Sequence, residues 1–82
     1  MKKLYKKKIL ITGGCGAIGQ NLVKLLVAKK YDVSVVDNLS SSKIDDLPKN
    51  IKFYNFDITN YKNLKKIFKT NITAVIHLAA FF

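Results

Sequence analysis

A short apolar run, Ile9-Leu10-Ile11, leads directly into Thr12-Gly13-Gly14-Cys15-Gly16-Ala17-Ile18-Gly19, and a segment with helical apolar spacing follows. This order of apolar run, glycine turn and amphipathic segment is that of a strand passing into a helix, and it limits the fold more than any other stretch. Glycines at 13, 16 and 19 give a Gly-x-x-Gly-x-x-Gly spacing. A residue without Cβ lets the backbone turn tightly and come close to a ligand. A helix start behind such a turn offers unsatisfied N–H groups and about half a positive charge, which suits an anion such as a dinucleotide's pyrophosphate.

The alternation continues along the chain. Ile18, Leu22, Leu25 and Leu26 recur at i, i+4, i+7 and i+8, predicting a helix that buries those four residues and ends near Lys29 and Lys30. Val33-Ser34-Val35-Val36 is a β-branched run too short for a helix, and it completes a βαβ unit with parallel pairing. Residues 38–50 are polar and serine-rich and include the single proline, Pro48, so they read as a loop with room for one helical turn. A third strand is expected over 51–56. Behind an N-cap at Thr59 or Asn60, Tyr61, Leu64, Ile67 and Phe68 predict a second helix with its lysines in solvent. Residues 74–80 are almost continuously apolar, as in a parallel strand buried on both faces. The fold class is therefore α/β: an open parallel sheet in the order 3-2-1-4 with helices on both faces.

Length and charge narrow the function. Eighty-two residues make one small domain, and no apolar run approaches the roughly 18–20 residues of a membrane span, so no membrane partner is expected. Net charge is +10, and every basic residue is lysine. Arginine is the preferred bidentate reader of guanine and phosphate, so its absence argues against specific nucleic-acid recognition. The lysine-rich residues 1–7 read as a solvated basic tail, and the apolar run behind them is too short for a signal peptide, which makes the cytoplasm the expected location. Cys15 is the single cysteine and reads as a small filler of the turn, with no disulfide and no metal site.

Ligands bind parallel sheets at the carboxyl ends of the strands. Asp37 ends the second strand eighteen residues beyond Gly19, where a carboxylate can accept from adenosine ribose hydroxyls and repel a 2′-phosphate, which favours NAD over NADP. Asp57 and Ile58, after the third strand, either touch adenine or serve the local turn through a capping carboxylate. His77, the single histidine, sits in an apolar strand and reads as a satisfied core residue rather than a base. Ser40, Ser41 and Ser42 fit no nucleophile-elbow pattern.

Taken together, these residues resemble the N-terminal part of the extended short-chain dehydrogenase/reductase family, specifically its NAD-dependent nucleotide-sugar epimerases and dehydratases. Four motifs carry the resemblance: residues 11–19, Val36-Asp37-Asn38-Leu39-Ser40-Ser41, Phe56-Asp57-Ile58, and Val75-Ile76-His77-Leu78-Ala79-Ala80. The resemblance implies a partial Rossmann NAD(P)-binding domain over 8–82, truncated after its fourth strand, with NAD as cofactor. It places Gly13, Gly16 and Gly19 in the turn and Ala17 and Ile18 on the pyrophosphate. Asp37, Asn38, Leu39, Ser40 and Ser41 fall on the ribose, Asp57 and Ile58 on adenine, and Leu78, Ala79 and Ala80 on the cofactor's middle. Ala17 stands where the family usually has Phe or Tyr, and Phe82 where some epimerases have a lysine.

The family's catalytic Tyr-x-x-x-Lys pair, with a Ser or Thr upstream, normally follows the fifth strand, so no catalytic residue is expected within 1–82. Tyr61-Lys62-Asn63-Leu64-Lys65 matches that pattern literally but falls on the second helix. A nucleotide-sugar substrate is then expected only when a C-terminal part is supplied, and homo-oligomerisation only in the full-length form. The alternative is a noncatalytic module that binds an anionic partner or a missing second half.

Overall fold

The computed structural model describes residues 7–39 and 47–78. Strands and helices alternate: β1 (Lys8–Thr12), α1 (Ala17–Ala28), β2 (Asp32–Asp37), β3 (Lys52–Asn55), α2 (Tyr61–Phe68) and β4 (Ala74–His77). The strands form one parallel sheet in the order β3-β2-β1-β4, as the sequence leads one to expect. β1 pairs with β2 from Lys8↔Asp32 to Thr12↔Val36, and with β4 from Ile9↔Ala74 to Thr12↔His77. β3 lies outside β2, with Val35 opposite Phe53.

Side chains alternate across a strand, so a sheet with a helix on each face needs apolar residues in unbroken runs. Ile9 and Ile11 of β1 and Val33 and Val35 of β2 pack with Val23 of α1, Cys15 and Leu47. Leu10 and Val36 point the other way and pack with Ile67 of α2. Leu10 and Ile11 are fully buried, and each such side chain contributes about 1.5–3 kcal/mol. The 40–46 part of the expected loop, including Ser42 and any helical turn there, lies outside the described residues. Leu47, read as part of a polar loop, is a core residue.

The buried face of α1 differs from the stripe predicted for it. Gly19 and Val23 are the buried positions, and Leu22, Leu26 and Val27 pack beside them, while Ile18 is 76% exposed and Leu25 52%. Apolar residues cover most of the arc of this helix, so spacing alone does not select a register. The close seating of Gly19 on the turn selects it, and Ile18, about 100° away on the helix, faces solvent. In α2, Ile67 is buried as expected, but Tyr61 and Phe68 are exposed. Its N-cap is Asn60, whose side-chain oxygen accepts from the Asn63 N–H at 3.3 Å. β4 is not buried on both faces: Ala74, Val75 and His77 are exposed, because β4 is an edge strand paired with β1 alone among the described residues.

α1 ends in a Schellman motif. The Lys30 N–H donates to the Val27 carbonyl at 3.0 Å and the Tyr31 N–H to the Leu26 carbonyl at 3.1 Å. The motif puts Lys30 at φ 71°, a conformation that costs an L-residue more than it costs glycine. Lys30→Gly is therefore expected to stabilise the chain by about 0.5–1 kcal/mol, offset in part by the greater freedom of an unfolded glycine. Denaturant unfolding monitored by circular dichroism checks this, and a loss of stability would contradict it.

Candidate functional site

The turn after β1 is shaped by its glycines, and each can be asked what a side chain would meet. Gly13 has φ 72°, the left-handed region. A Cβ on Gly14 would lie 2.6 Å from Val35 Cγ1, and one on Gly19 would lie 2.6 Å from the Gly13 carbonyl oxygen and 2.7 Å from the Gly14 Cα. Gly16 is different: its hypothetical Cβ meets only the Gly13 oxygen, at 3.6 Å, an ordinary contact. The fold thus accounts for Gly13, Gly14 and Gly19 but not for Gly16. Gly14 lies outside the three-glycine spacing, and its role is visible only once β2 brings Val35 beneath it.

Gly16 is also the N-cap of α1, with no side-chain cap and no acidic residue in the first turn. Ser, Thr, Asp or Asn would ordinarily satisfy an N–H there. Among the described residues, the backbone N–H groups of Ala17 and Ile18 meet no acceptor, and both residues are exposed at the carboxyl edge of the sheet. This is the local geometry that takes an anion.

Asp37 ties the turn to the end of β2. Its Oδ2 accepts from the Cys15 N–H at 3.0 Å and its Oδ1 from the Leu39 N–H at 2.7 Å. The Gly13 N–H donates to the Val36 carbonyl at 2.8 Å beside it. An ionised carboxylate has about four acceptor positions, so two backbone donors leave capacity for ribose hydroxyls. Leu39 is held at φ 59°, a strained conformation for leucine that the Asp37 bond helps to fix. Cys15 is a buried filler of the turn, as its position suggested.

Asp57, two residues beyond β3, accepts at Oδ1 from both the Thr59 N–H and the Thr59 hydroxyl, each at 2.9 Å. Those two bonds, with a smaller contribution from the Asn38 side chain, hold its carboxyl below the usual carboxylate range. Of the two readings left open by spacing, the local turn is thus observed directly. The Asn38 interaction also joins the segments just beyond β2 and β3. Ile58 is half-buried against the α2-side core.

His77 is exposed rather than buried in the core, and its Nδ1 lies 2.6 Å from Thr12 Oγ1. The partner is 65 residues away, which is why no local pattern revealed it. The Leu78 N–H donates to the Thr12 carbonyl at 2.9 Å. Thus Gly13, Gly16, Ala17, Ile18, Gly19, Asp37, Asn38, Leu39, Asp57, Ile58 and Leu78 are all placed at or just beyond the carboxyl ends of the strands. Ser40, Ser41, Ala79 and Ala80 lie outside the described residues. Tyr61 opens α2, on the sheet face opposite α1. Among the described residues no group of three or more His, Cys, Asp or Glu could hold a metal ion, and no helix is long and apolar enough to cross a membrane.

The NAD dependent epimerase/dehydratase family matches residues 9–82. The chain belongs to that family. A UDP-glucose 4-epimerase of Dictyostelium discoideum is 41% identical over an 80-residue alignment that covers 88% of this chain and 23% of that protein. Among solved epimerase structures, one from Methanothermobacter thermautotrophicus superposes with a TM-score of 0.88 at 42% identity, covering 94% of this chain and 24% of the other. The UDP-glucose 4-epimerase of Thermus thermophilus, solved in complex with NAD, gives a TM-score of 0.84 at 35% identity, with 90% of this chain and 24% of that one covered. The chain therefore spans about a quarter of the length of these epimerase/dehydratase relatives.

Proposed function

We propose that this chain is the NAD-binding N-terminal portion of a nucleotide-sugar epimerase/dehydratase-type oxidoreductase. The observation that carries the reading is Gly16: it has no reason inside the fold to lack a side chain, yet it caps a helix whose first N–H groups are unused. A pyrophosphate approaching the backbone there supplies the missing reason. The family match over 9–82 and the NAD complex of a relative at 35% identity support it.

On this reading Gly13, Gly14 and Gly19 shape the turn, while Gly16, Ala17 and Ile18 present backbone to the pyrophosphate. Asp37 accepts from the adenosine ribose, with 38–41 alongside. Asp57 and Ile58 flank the adenine, and 78–80 line the cofactor's middle. When bound, NAD supplies hydride acceptance and return; these residues hold and orient it. The catalytic pair and the sugar-binding part belong to the remaining length of the enzyme. A noncatalytic module is not favoured, since the similarity runs through every strand of the sheet.

Asp37 gives a direct test. Its charge repels a 2′-phosphate, so NAD at about 100 times its Kd is expected to stabilise the chain by about 2.7 kcal/mol, with little effect from NADP at the same concentration. Differential scanning fluorimetry reads both. Equal stabilisation by the two, or by neither, would contradict the assignment.

A further inference from the structure

We propose that His77 is a positioning residue for the cofactor site, acting through Thr12. The inference rests on the cofactor reading above and concerns how the two sides of that site are held at a fixed separation. The connection leaving β1 leads to β2 on one side, and the connection from β3 returns to β4 on the other, so the sheet changes direction between β1 and β4. In parallel α/β sheets that switch point is where the ligand crevice opens.

The last rung of the β1–β4 ladder is Thr12↔His77. Immediately beyond it stand Gly13, which begins the glycine turn, and Leu78, proposed above to meet the cofactor's middle. The 2.6 Å contact between Thr12 Oγ1 and His77 Nδ1 closes this rung with side chains, beside the backbone bond from the Leu78 N–H to the Thr12 carbonyl. Thr12 is 5% exposed and anchored in the sheet, while the His77 ring faces solvent. Strand ends are where ladders open most easily, and this rung is the last that pairs β4 with β1. The imidazole therefore ties the end of β4 to the anchored end of β1. Fixing both walls of a site before the ligand arrives raises affinity by lowering the ordering cost of binding.

Two substitutions separate this role from simple occupancy of the position. His77→Asn keeps a polar atom one bond beyond Cγ, where Nδ1 stands, and its amide both donates and accepts, so it preserves the rung in either hydrogen orientation. His77→Gln carries its amide one bond farther and does not. Titration calorimetry with NAD is expected to show a loss of about five- to tenfold in affinity for the Gln variant, with the Asn variant within about twofold of the unaltered chain. Hydrogen exchange at the Leu78 amide, measured without NAD, is expected to accelerate by a similar factor in the Gln variant only. Equal behaviour of the two variants in both measurements overturns the proposal. If the unaltered chain takes no NAD, the cofactor reading itself falls. If it binds NAD but Leu78 exchange is unchanged in the Gln variant, this inference alone falls.

Discussion

Gly19→Ala is expected to destabilise the chain strongly, by about 2 kcal/mol or more. The new Cβ would stand 2.6 Å from the Gly13 oxygen, 2.7 Å from the Gly14 Cα and 2.8 Å from the Gly14 carbonyl carbon. All three are backbone atoms of a turn pinned on both sides, by the Gly13 N–H to the Val36 carbonyl and by the Cys15 N–H to Asp37. No flexible side chain is available to move aside, so either α1 lifts from the sheet or the turn distorts. Overpacking of this kind costs about 3 kcal/mol or more. The gain in helix propensity from replacing a helical glycine, about 1 kcal/mol, does not offset it. A small domain has only about 5 kcal/mol of total stability, so a net loss of about 2 kcal/mol or more removes a large share of it. Far-ultraviolet circular dichroism and urea unfolding measure it. A Gly19→Ala chain that unfolds at the same urea concentration as the unaltered one would show that α1 does not sit on the turn as described.

Gly16→Val is expected to have the opposite signature. Its backbone, at φ −68° and ψ 169°, is extended and open to any residue, and the nearest protein atom to a Cβ is 3.6 Å away. The cost to folding is limited to the poorer capping by valine, about 1 kcal/mol. The branched side chain would occupy the approach to the Ala17 and Ile18 N–H groups, so NAD affinity is expected to fall by about 100-fold, equivalent to about 2.7 kcal/mol. Two glycines three residues apart in one motif thus separate a structural requirement from a ligand requirement. Comparable stability losses in both variants, or comparable binding losses in two folded variants, would remove that separation.

Much of the architecture was legible because parallel strands covered on both faces must be apolar throughout. Ile9-Leu10-Ile11 and Val33-Ser34-Val35-Val36 could hardly be read otherwise, and their separation by a glycine turn and an amphipathic segment implied β2 beside β1. The end of β2, with Asp37 on it, and the segment just beyond β3, with Asp57, followed from the same alternation. What escaped was whatever depends on contacts distant in sequence. Ile18 and Leu25 lie in an apolar arc broader than the buried face of α1, and only the backbone packing at Gly19 turns them outward. Leu47 sits among polar residues and gains its place in the core from the sheet face it meets. His77 has no local partner, and the register of β4 against β1 is what brings it to Thr12. The apolar content of 74–80 implied burial, whereas β4 forms an edge of the sheet among the described residues.

The measurement that bears most directly on the central claim is a calorimetric titration of NAD into the unaltered chain and into Gly16→Val, with both first shown to be folded by circular dichroism. Saturable one-site binding to the unaltered chain, lost or weakened by about 100-fold in Gly16→Val, is the result predicted here. Absence of binding to the folded, unaltered chain, or equal binding to both, would contradict the assignment of the glycine turn as the cofactor's pyrophosphate site.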